Sequence, residues 1–276
     1  MYLVVTSSQD LASMNIREKL LSLVPWIEKS RFKGMPVYEY RNMFLLTNDE
    51  FHIYAEELDG EIRAKLKIDF DRIIFASRHK AESGLQSLTV HSIGNFSKAK
   101  YGGKDKTLVT SMPHEISHAY HRLLVNGANL DYMITFEATH HGPYLDTPTM
   151  FIEIGSDEEG WRDEKAGTAV ARTIMEIPSF KKSKDTLVGV GGGHYCPRHS
   201  DVVKKFDAAY GHIIPGWALR EADDEAVLMA ISSTPGAEKI YLHRKALKGA
   251  DRRKLESLFV ENGFNIVRSS ELTLRE

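Results

Sequence analysis

The sequence predicts an α/β fold, specifically a three-layer α/β/α sandwich around a mixed sheet. Short runs rich in β-branched and aromatic residues, of the length that buried strands take, recur along the chain. Amphipathic stretches bounded by capping residues separate most of them. No repeat of 20 to 50 residues breaks this alternation, and the 276 residues read as one domain, 1–276. A chain of this size buries roughly 75% of the surface its unfolded form exposes.

Taken in order, residues 1–6 read as a buried strand and 7–10 as a turn carrying a helix cap. An amphipathic helix at 11–26 follows, stopped near Pro25. Residues 28–36 are polar and expected as a loop, after which 37–40 and 43–46 pair as a hairpin through Arg41 and Asn42. Asp59 and Gly60 mark a turn. A strand at 72–77 presents Arg78, His79 and Lys80 at its end, and a strand at 88–91 delivers His91 to a Gly94-Asn95 turn. In open α/β sheets ligands gather beyond the carboxyl ends of strands, which makes such positions candidates. Pro113 opens a helix running to about Val125, stopped by Asn126 and Gly127. Strands at 134–136 and 150–154 flank a loop, and Ser156 with Glu159 has capping-box spacing for a helix that Pro178 ends. A strand at 186–190 runs into Gly191, Gly192 and Gly193, which permit close backbone approach to a ligand. Helices are expected from around Ser200, at 223–233 and at 250–262, with a strand at 239–242 ending at His243.

Composition narrows the function classes. Hydrophobic content of 42% and charged content of 27% are those of a globular protein. The single cysteine, Cys196, rules out an internal disulfide framework and suits a reducing compartment. Neither a signal peptide nor a membrane anchor is visible, so a cytoplasmic protein without a membrane or an obligate protein partner is expected. A net charge of −2 argues against coating nucleic acid through the overall field, so a nucleic-acid partner needs a local basic patch. Lys98, Lys100, Lys104 and Lys106 around Tyr101 offer one, in which lysines meet phosphates and the ring stacks on an unpaired base. Lys181, Lys182 and Lys184 form a second basic loop. Twelve histidines, clustered near turn-rich stretches, raise the prospect of metal binding.

Chemistry concentrates in residues 136–156, where Glu137, His140 and His141 leave one strand, Gly142 and Pro143 turn the backbone, and Glu153 returns on the next. Adjacent histidines on an extended chain point to opposite sides, so both enter one pocket only if the local turn brings them inward. His91, His140, His141 and His194, with Glu137 and Glu153, form the better metal set, because each sits on a strand end or a glycine-bearing turn. Zinc takes three or four such ligands and, when catalytic, keeps one position open. The competing motif is His114-Glu115-Ile116-Ser117-His118, which matches the H-E-x-x-H pattern of zinc proteases, but its first ligand falls in the opening turn of a helix. Cys196 has no helix N-terminus at its sulfur, and Ser200 and Thr139 lack a nucleophile elbow, so covalent catalysis is disfavoured.

The segment EATHHGP, followed by FIEIGS and a WRDEKAG helix start, resembles the archaeal and plant type of D-aminoacyl-tRNA deacylase. ASRH at 76–79, LTVHSIGN at 88–95 and GGGHYCPRH at 191–199 extend the resemblance over most of the chain. It implies a hydrolase that cleaves the ester between a D-amino acid and tRNA, binds Zn2+, serves translation quality control, and has a fold similar to nucleoside phosphorylases and peptidyl-tRNA hydrolases. On that basis Glu137, His140, His141 and His194 are the catalytic candidates. Arg78, His79, Asn95, Gly191, Gly192, Gly193 and Arg198 are the candidates for binding the 3′ acceptor end. His91, His140, His141, Glu153 and His194 are the zinc-ligand candidates. Two rivals stand beside this reading: a zinc metallopeptidase using His114, Glu115 and His118, and a nucleotide-binding protein without catalysis that holds adenosine at the Gly191 region.

Overall fold

A computed structural model describes residues 1–82 and 84–275. The first half of the chain lays down β1 (Tyr2–Ser7), α1 (Leu11–Leu23), β2 (Ile27–Phe32), β3 (Met35–Tyr40), β4 (Met43–Asn48), α2 (Leu58–Leu66), β5 (Arg72–Arg78) and β6 (Ser87–His91). A small ribbon, β7 (Gly94–Asn95) with β8 (Thr107–Leu108), precedes α3 (Pro113–Asn126), β9 (Met133–Phe136) and β10 (Thr149–Gly155). Next come α4 (Glu158–Arg162), α5 (Glu164–Glu176), β11 (Asp185–Val190), α6 (Pro197–Lys205) and β12 (Ala208–Ile214). The chain closes with α7 (Asp224–Ser232), β13 (Lys239–Leu242), α8 (Gly249–Glu261) and β14 (Asn265–Val267).

The main sheet is mixed and has eight strands in the order β2-β3-β4-β1-β5-β10-β6-β9. Strands β4, β1, β5 and β10 run parallel, while β6 and β9 run against β10. On one face α1, α3 and α5 bury Ile16, Leu20, Ile116, Leu123, Val170 and Ile174 against Val4, Leu45, Ile74 and Ile152. On the other face Leu3, Val5, Phe75 and Phe151 pack with Leu58 and Ile62 of α2. Each such side chain, fully buried, contributes about 1.5–3 kcal/mol of transfer free energy. The α/β expectation therefore holds, with an addition that the sequence reading lacked. A second sheet, β12-β11-β13-β14, is wholly parallel. Its Leu187, Tyr210 and Tyr241 share the core around α3, and its Val188, Val190 and Ile240 pack against Val227, Ile231 and Phe259 of α7 and α8.

Local departures from expectation have identifiable causes. The first helix ends at Leu23 rather than Trp26, since Pro25 disfavours the helical conformation of the residue before it. Residues expected as a polar loop form β2, an edge strand whose exposed polar side chains hide its periodicity. Asp59 and Gly60 lie inside α2 rather than in a turn, with the Asp59 carboxylate accepting from Thr147 N (2.9 Å). The helix expected from Ser156 is two helices. Asp157 caps the first by accepting from Gly160 N (3.1 Å), and Asp163 restarts the second by accepting from Lys165 N (2.8 Å).

Candidate active site: a histidine and carboxylate cluster

The site grows from one face of the main sheet, where β6 reverses direction beside β10. Glu153 lies mid-strand in β10, in register with Ser77 of β5 and Thr89 of β6, so these side chains share a face. Because β5 and β6 run oppositely, His79 and His91 approach Glu153 from its two sides. His79 Nδ1 is 3.6 Å and His91 Nε2 is 3.5 Å from Glu153 Oε2. The antiparallel neighbour thus puts the cluster on the sheet face, with Glu153 inside its strand and not beyond a carboxyl end.

Residues following β9 close over this base. Their backbone is clamped on both sides, with Ala138 N donating to His194 O (2.8 Å) and Cys196 N to Phe136 O (2.9 Å). Gly94 N donates to His141 O (2.8 Å), and Gly142 N to Tyr101 O (2.9 Å). Gly142 is required here, since a β-carbon would stand 2.2 Å from Gly103 N. His141 takes the left-handed conformation at φ +48°, uncommon for a side chain with a β-carbon. That turn brings both neighbouring histidines inward: His140 and His141 rings lie 4.5 and 5.1 Å from the His91 ring and 4.3 Å from each other. His194 joins them at 4.5 Å from His140 and stacks on His79 at 5.0 Å. Glu137, fully buried, faces three of these rings, with Oε1 3.2 Å from His79 Nδ1 and Oε2 3.0 Å from His194 Nε2 and 3.7 Å from His140 Nε2.

Hydrogen bonding fixes which ring atoms point inward. His91 Nδ1 donates to Ser92 O (3.1 Å), His140 Nδ1 to Ala138 O (2.8 Å) and His141 Nδ1 to Gly142 O (2.6 Å). A carbonyl can only accept, so in neutral His140 and His141 Nε2 keeps its lone pair, whereas at His91 burial opposes charge but the Glu153 carboxylate facing Nε2 raises the pKa. This is the arrangement in which an outer hydrogen bond orients a metal-ligating imidazole. His79 Nε2, His91 Nε2, His194 Nε2 and both Glu137 oxygens are buried without a well-formed hydrogen bond inside the protein. Such atoms are costly to leave unmatched unless something else occupies the space between them. Two disjoint sets, His91 with His140 and His141, and His79 with Glu137 and His194, each bring three ligand atoms within 4.8 Å of one another. A third set joins His91 to Glu137 and Glu153. Their nitrogen and carboxylate donors suit zinc.

Electrostatics divide the cluster. Burial and the neighbouring histidines push His140 well below the usual histidine range, and the same causes lower His141 to about 4. Burial opposes charge on His79, but the carboxylates of Glu153 and Glu137 outweigh it and hold its pKa up to about 9. Burial likewise works against ionised Glu153, yet contacts with His79 and His91 bring it well below the usual carboxylate range.

Most of the sequence-selected residues converge here, and some do not. Glu137, His140, His141, His194, His91 and Glu153 meet in the cluster. His79, expected to bind substrate, is instead a buried member of the donor set, paired with Glu137 and Glu153. Arg78 lies between the rings of Phe51 and Trp161, at 4.7 and 4.8 Å, and the Asn95 amide donates to Gly102 O (2.9 Å), organising the lysine-rich loop. Arg198 is not beside the cluster's rings; Tyr241 and Ser269 hold its guanidinium. Gly191 and Gly192, at φ +92° and +110°, turn the chain beside Leu247 and His243, and Gly193 follows toward His194. Tyr195, which no local sequence pattern marks, packs on His79 and His194.

The rival pentapeptide is dispersed. Glu115 is buried and accepts from Arg72 Nε (2.7 Å), His118 Nε2 donates to Glu176 O (3.1 Å), and His114 Nδ1 accepts from Ser183 N (3.2 Å). Cys196 is buried, which pushes its thiol pKa up, and the Ser200 and Thr139 hydroxyls are engaged with Phe136 N and Ile213 N.

The molecule is thus an α/β protein with a recessed array of imidazoles and carboxylates, in which the Ser200 and Thr139 hydroxyls are engaged and the Cys196 thiol is buried. The D-aminoacyl-tRNA deacylase family pattern matches residues 66–267. Proteins named D-aminoacyl-tRNA deacylase from Pyrococcus furiosus and Thermococcus kodakarensis are 39% and 40% identical over 272 and 274 residues, covering 97% of this chain and all of theirs. The chain belongs to this family. A crystal structure described as a conserved protein of unknown function superposes with a TM-score of 0.92 at 30% identity, over 100% of this chain and 98% of its own. No helix among the described residues is long and apolar enough to cross a membrane.

Proposed function

We propose that this protein hydrolyses the ester joining a D-amino acid to the 3′ end of tRNA, acts in the cytoplasm, and uses zinc held by the histidine and glutamate cluster. The convergence of ring nitrogens and carboxylate oxygens buried without a well-formed hydrogen bond carries this reading. His91, His140 and His141 would hold the ion through Nε2, and His79, Glu137 and His194 offer a second set of donors. When bound, zinc polarises a carbonyl or lowers the pKa of water.

The chain's own groups account for the rest. An aminoacyl ester is an activated acyl group, so placing water and stabilising the oxyanion meet most of the demand. His194 and His140, with side chains 37% and 18% exposed, are the faces open to an incoming ester, while His79, His91 and Glu153 behind them are closed to solvent. Glu137 takes the proton from water, and His194 Nε2, 3.0 Å from Glu137 Oε2, orients that carboxylate. Tyr101, 65% exposed and tied through its carbonyl to Gly142, stacks on an unpaired base of the acceptor end, with Lys98 and Lys100 at the phosphates. Rejection of L-aminoacyl-tRNA is a steric exclusion near the α-carbon.

The test incubates the purified protein with D-tyrosyl-tRNA and L-tyrosyl-tRNA, with and without a chelator, and follows ester loss. Loss of the D-ester alone, stopped by chelation and restored by zinc, is expected. Equal cleavage of both enantiomers, or of neither, overturns the proposal.

A further inference from the structure

The rule that ligands gather beyond the carboxyl ends of parallel strands applies without interruption in the second sheet, where all four strands run the same way. Directly after β13 come His243, Arg244 and Lys245, and after β14 come Arg268 and Ser269. Together with Arg198 they line a cavity of about 370 Å³, and no carboxylate lies among its lining residues. Glu256 neutralises Arg244 from one side at 2.6 Å. Arg198, Lys245 and Arg268 have no ion-pair partner among the described residues. Tyr241 and Ser269 pre-set the Arg198 guanidinium, so one of the three unpaired cations is already ordered. Burial, Arg198 and Lys245 all lower the pKa of His243, as a positive local field requires.

Three uncompensated cations around one cavity, in a chain of net charge −2, are a local anion site in a protein whose overall field does not attract anions. Arginine with its planar fork suits a phosphate oxygen pair, and lysine adds a mobile point charge. The cavity is also tied to the cluster by sequence: three residues separate His194 from Arg198, which lies in the first turn of α6. We infer that Arg198, Lys245 and Arg268 form a phosphodiester-binding site that takes the backbone of the tRNA whose ester lies at the histidine cluster. The inference rests on the deacylase reading only for the identity of the polynucleotide.

The test measures binding of uncharged tRNA, which contains no ester, to the full-length protein over a range of salt concentrations. Lys245→Glu with Arg268→Glu, both at exposed positions, is expected to weaken Kd at least tenfold and to lower the slope of log K against log salt by about 1 or more. Lys245→Arg with Arg268→Lys, which keeps both charges, is expected to retain wild-type affinity and slope. An unchanged Kd and slope in the charge-reversed protein overturns the inference, as does wild-type protein that does not bind uncharged tRNA. Loss of affinity for adenosine monophosphate alone, with tRNA binding intact, overturns it too. Failure to cleave D-tyrosyl-tRNA despite salt-dependent tRNA binding refutes the deacylase reading instead, so the two failures are distinct.

Discussion

Two groups of histidines differ in what their ring atoms meet. On α3, His114 and His118 stand one turn apart beside Glu115 in a pattern that resembles a metal site when written as letters. In three dimensions His114 is bonded to Ser183 N, His118 to Glu176 O, and Glu115 turns toward Arg72. The cluster on the main sheet draws residues from positions 79, 91, 137, 140, 141, 153 and 194, no more than two of them adjacent. Its backbone hydrogen bonds use the outer ring nitrogens of His91, His140 and His141, and His79 Nε2, His91 Nε2 and His194 Nε2 are buried without a well-formed hydrogen bond. Spacing along a helix therefore says less about a metal site than where the spare lone pairs point.

The largest expected effect breaks the comparison directly. Glu137→Gln or His140→Ala is expected to lower kcat for D-tyrosyl-tRNA hydrolysis by about a thousandfold or more, whereas His114→Ala with His118→Ala leaves it within about threefold. Comparable losses in both experiments would remove the distinction. Metal removal comes next. If the cluster holds zinc and the helix does not, chelation lowers the melting temperature, by the equivalent of about 4 kcal/mol when zinc stands at a thousandfold its Kd. His91→Ala with His140→Ala abolishes that shift, and the α3 double variant keeps it, as calorimetry would register.

A third kind of histidine sharpens the contrast. His199 and His212 are buried, and burial lowers both pKa values from 6.5 to about 4. His212 Nε2 donates to Val109 O (3.0 Å) while Nδ1 meets the Thr139 hydroxyl, and His199 Nε2 donates to Gly191 O (3.0 Å). The unfolded chain binds protons at these rings more readily than the folded one. Their stabilisation is therefore complete above pH 6.5 and lost as pH falls through about 4, on the order of 3 kcal/mol each. Urea titrations between pH 7 and 4 are expected to show a steepening loss of stability, smaller in His212→Gln; an identical pH slope in that variant would refute the assignment. The smallest effect belongs to Glu115. Glu115→Gln weakens its pairing with the partly exposed Arg72 and is expected to cost about 2 kcal/mol of stability, with kcat unchanged. A loss of activity without a loss of stability would return catalysis to the pentapeptide.

The sequence by itself determined the α/β class, the strand cores and the residues around EATHHGP, because hydrophobic periodicity and turn chemistry are local properties readable over a dozen positions. It marked Glu137, His140, His141, His91, Glu153 and His194 as chemically suited, and family resemblance joined them. Tertiary structure alone decided the rest. Antiparallel β6 set Glu153 between His79 and His91, the left-handed turn at His141 pointed two adjacent rings the same way, and the wholly parallel second sheet gathered Arg198, Lys245 and Arg268. The reason is physical: which ring atoms face one another depends on strand direction and register between segments as distant in sequence as those of Ser77 and Glu153, and these are fixed only when the core packs.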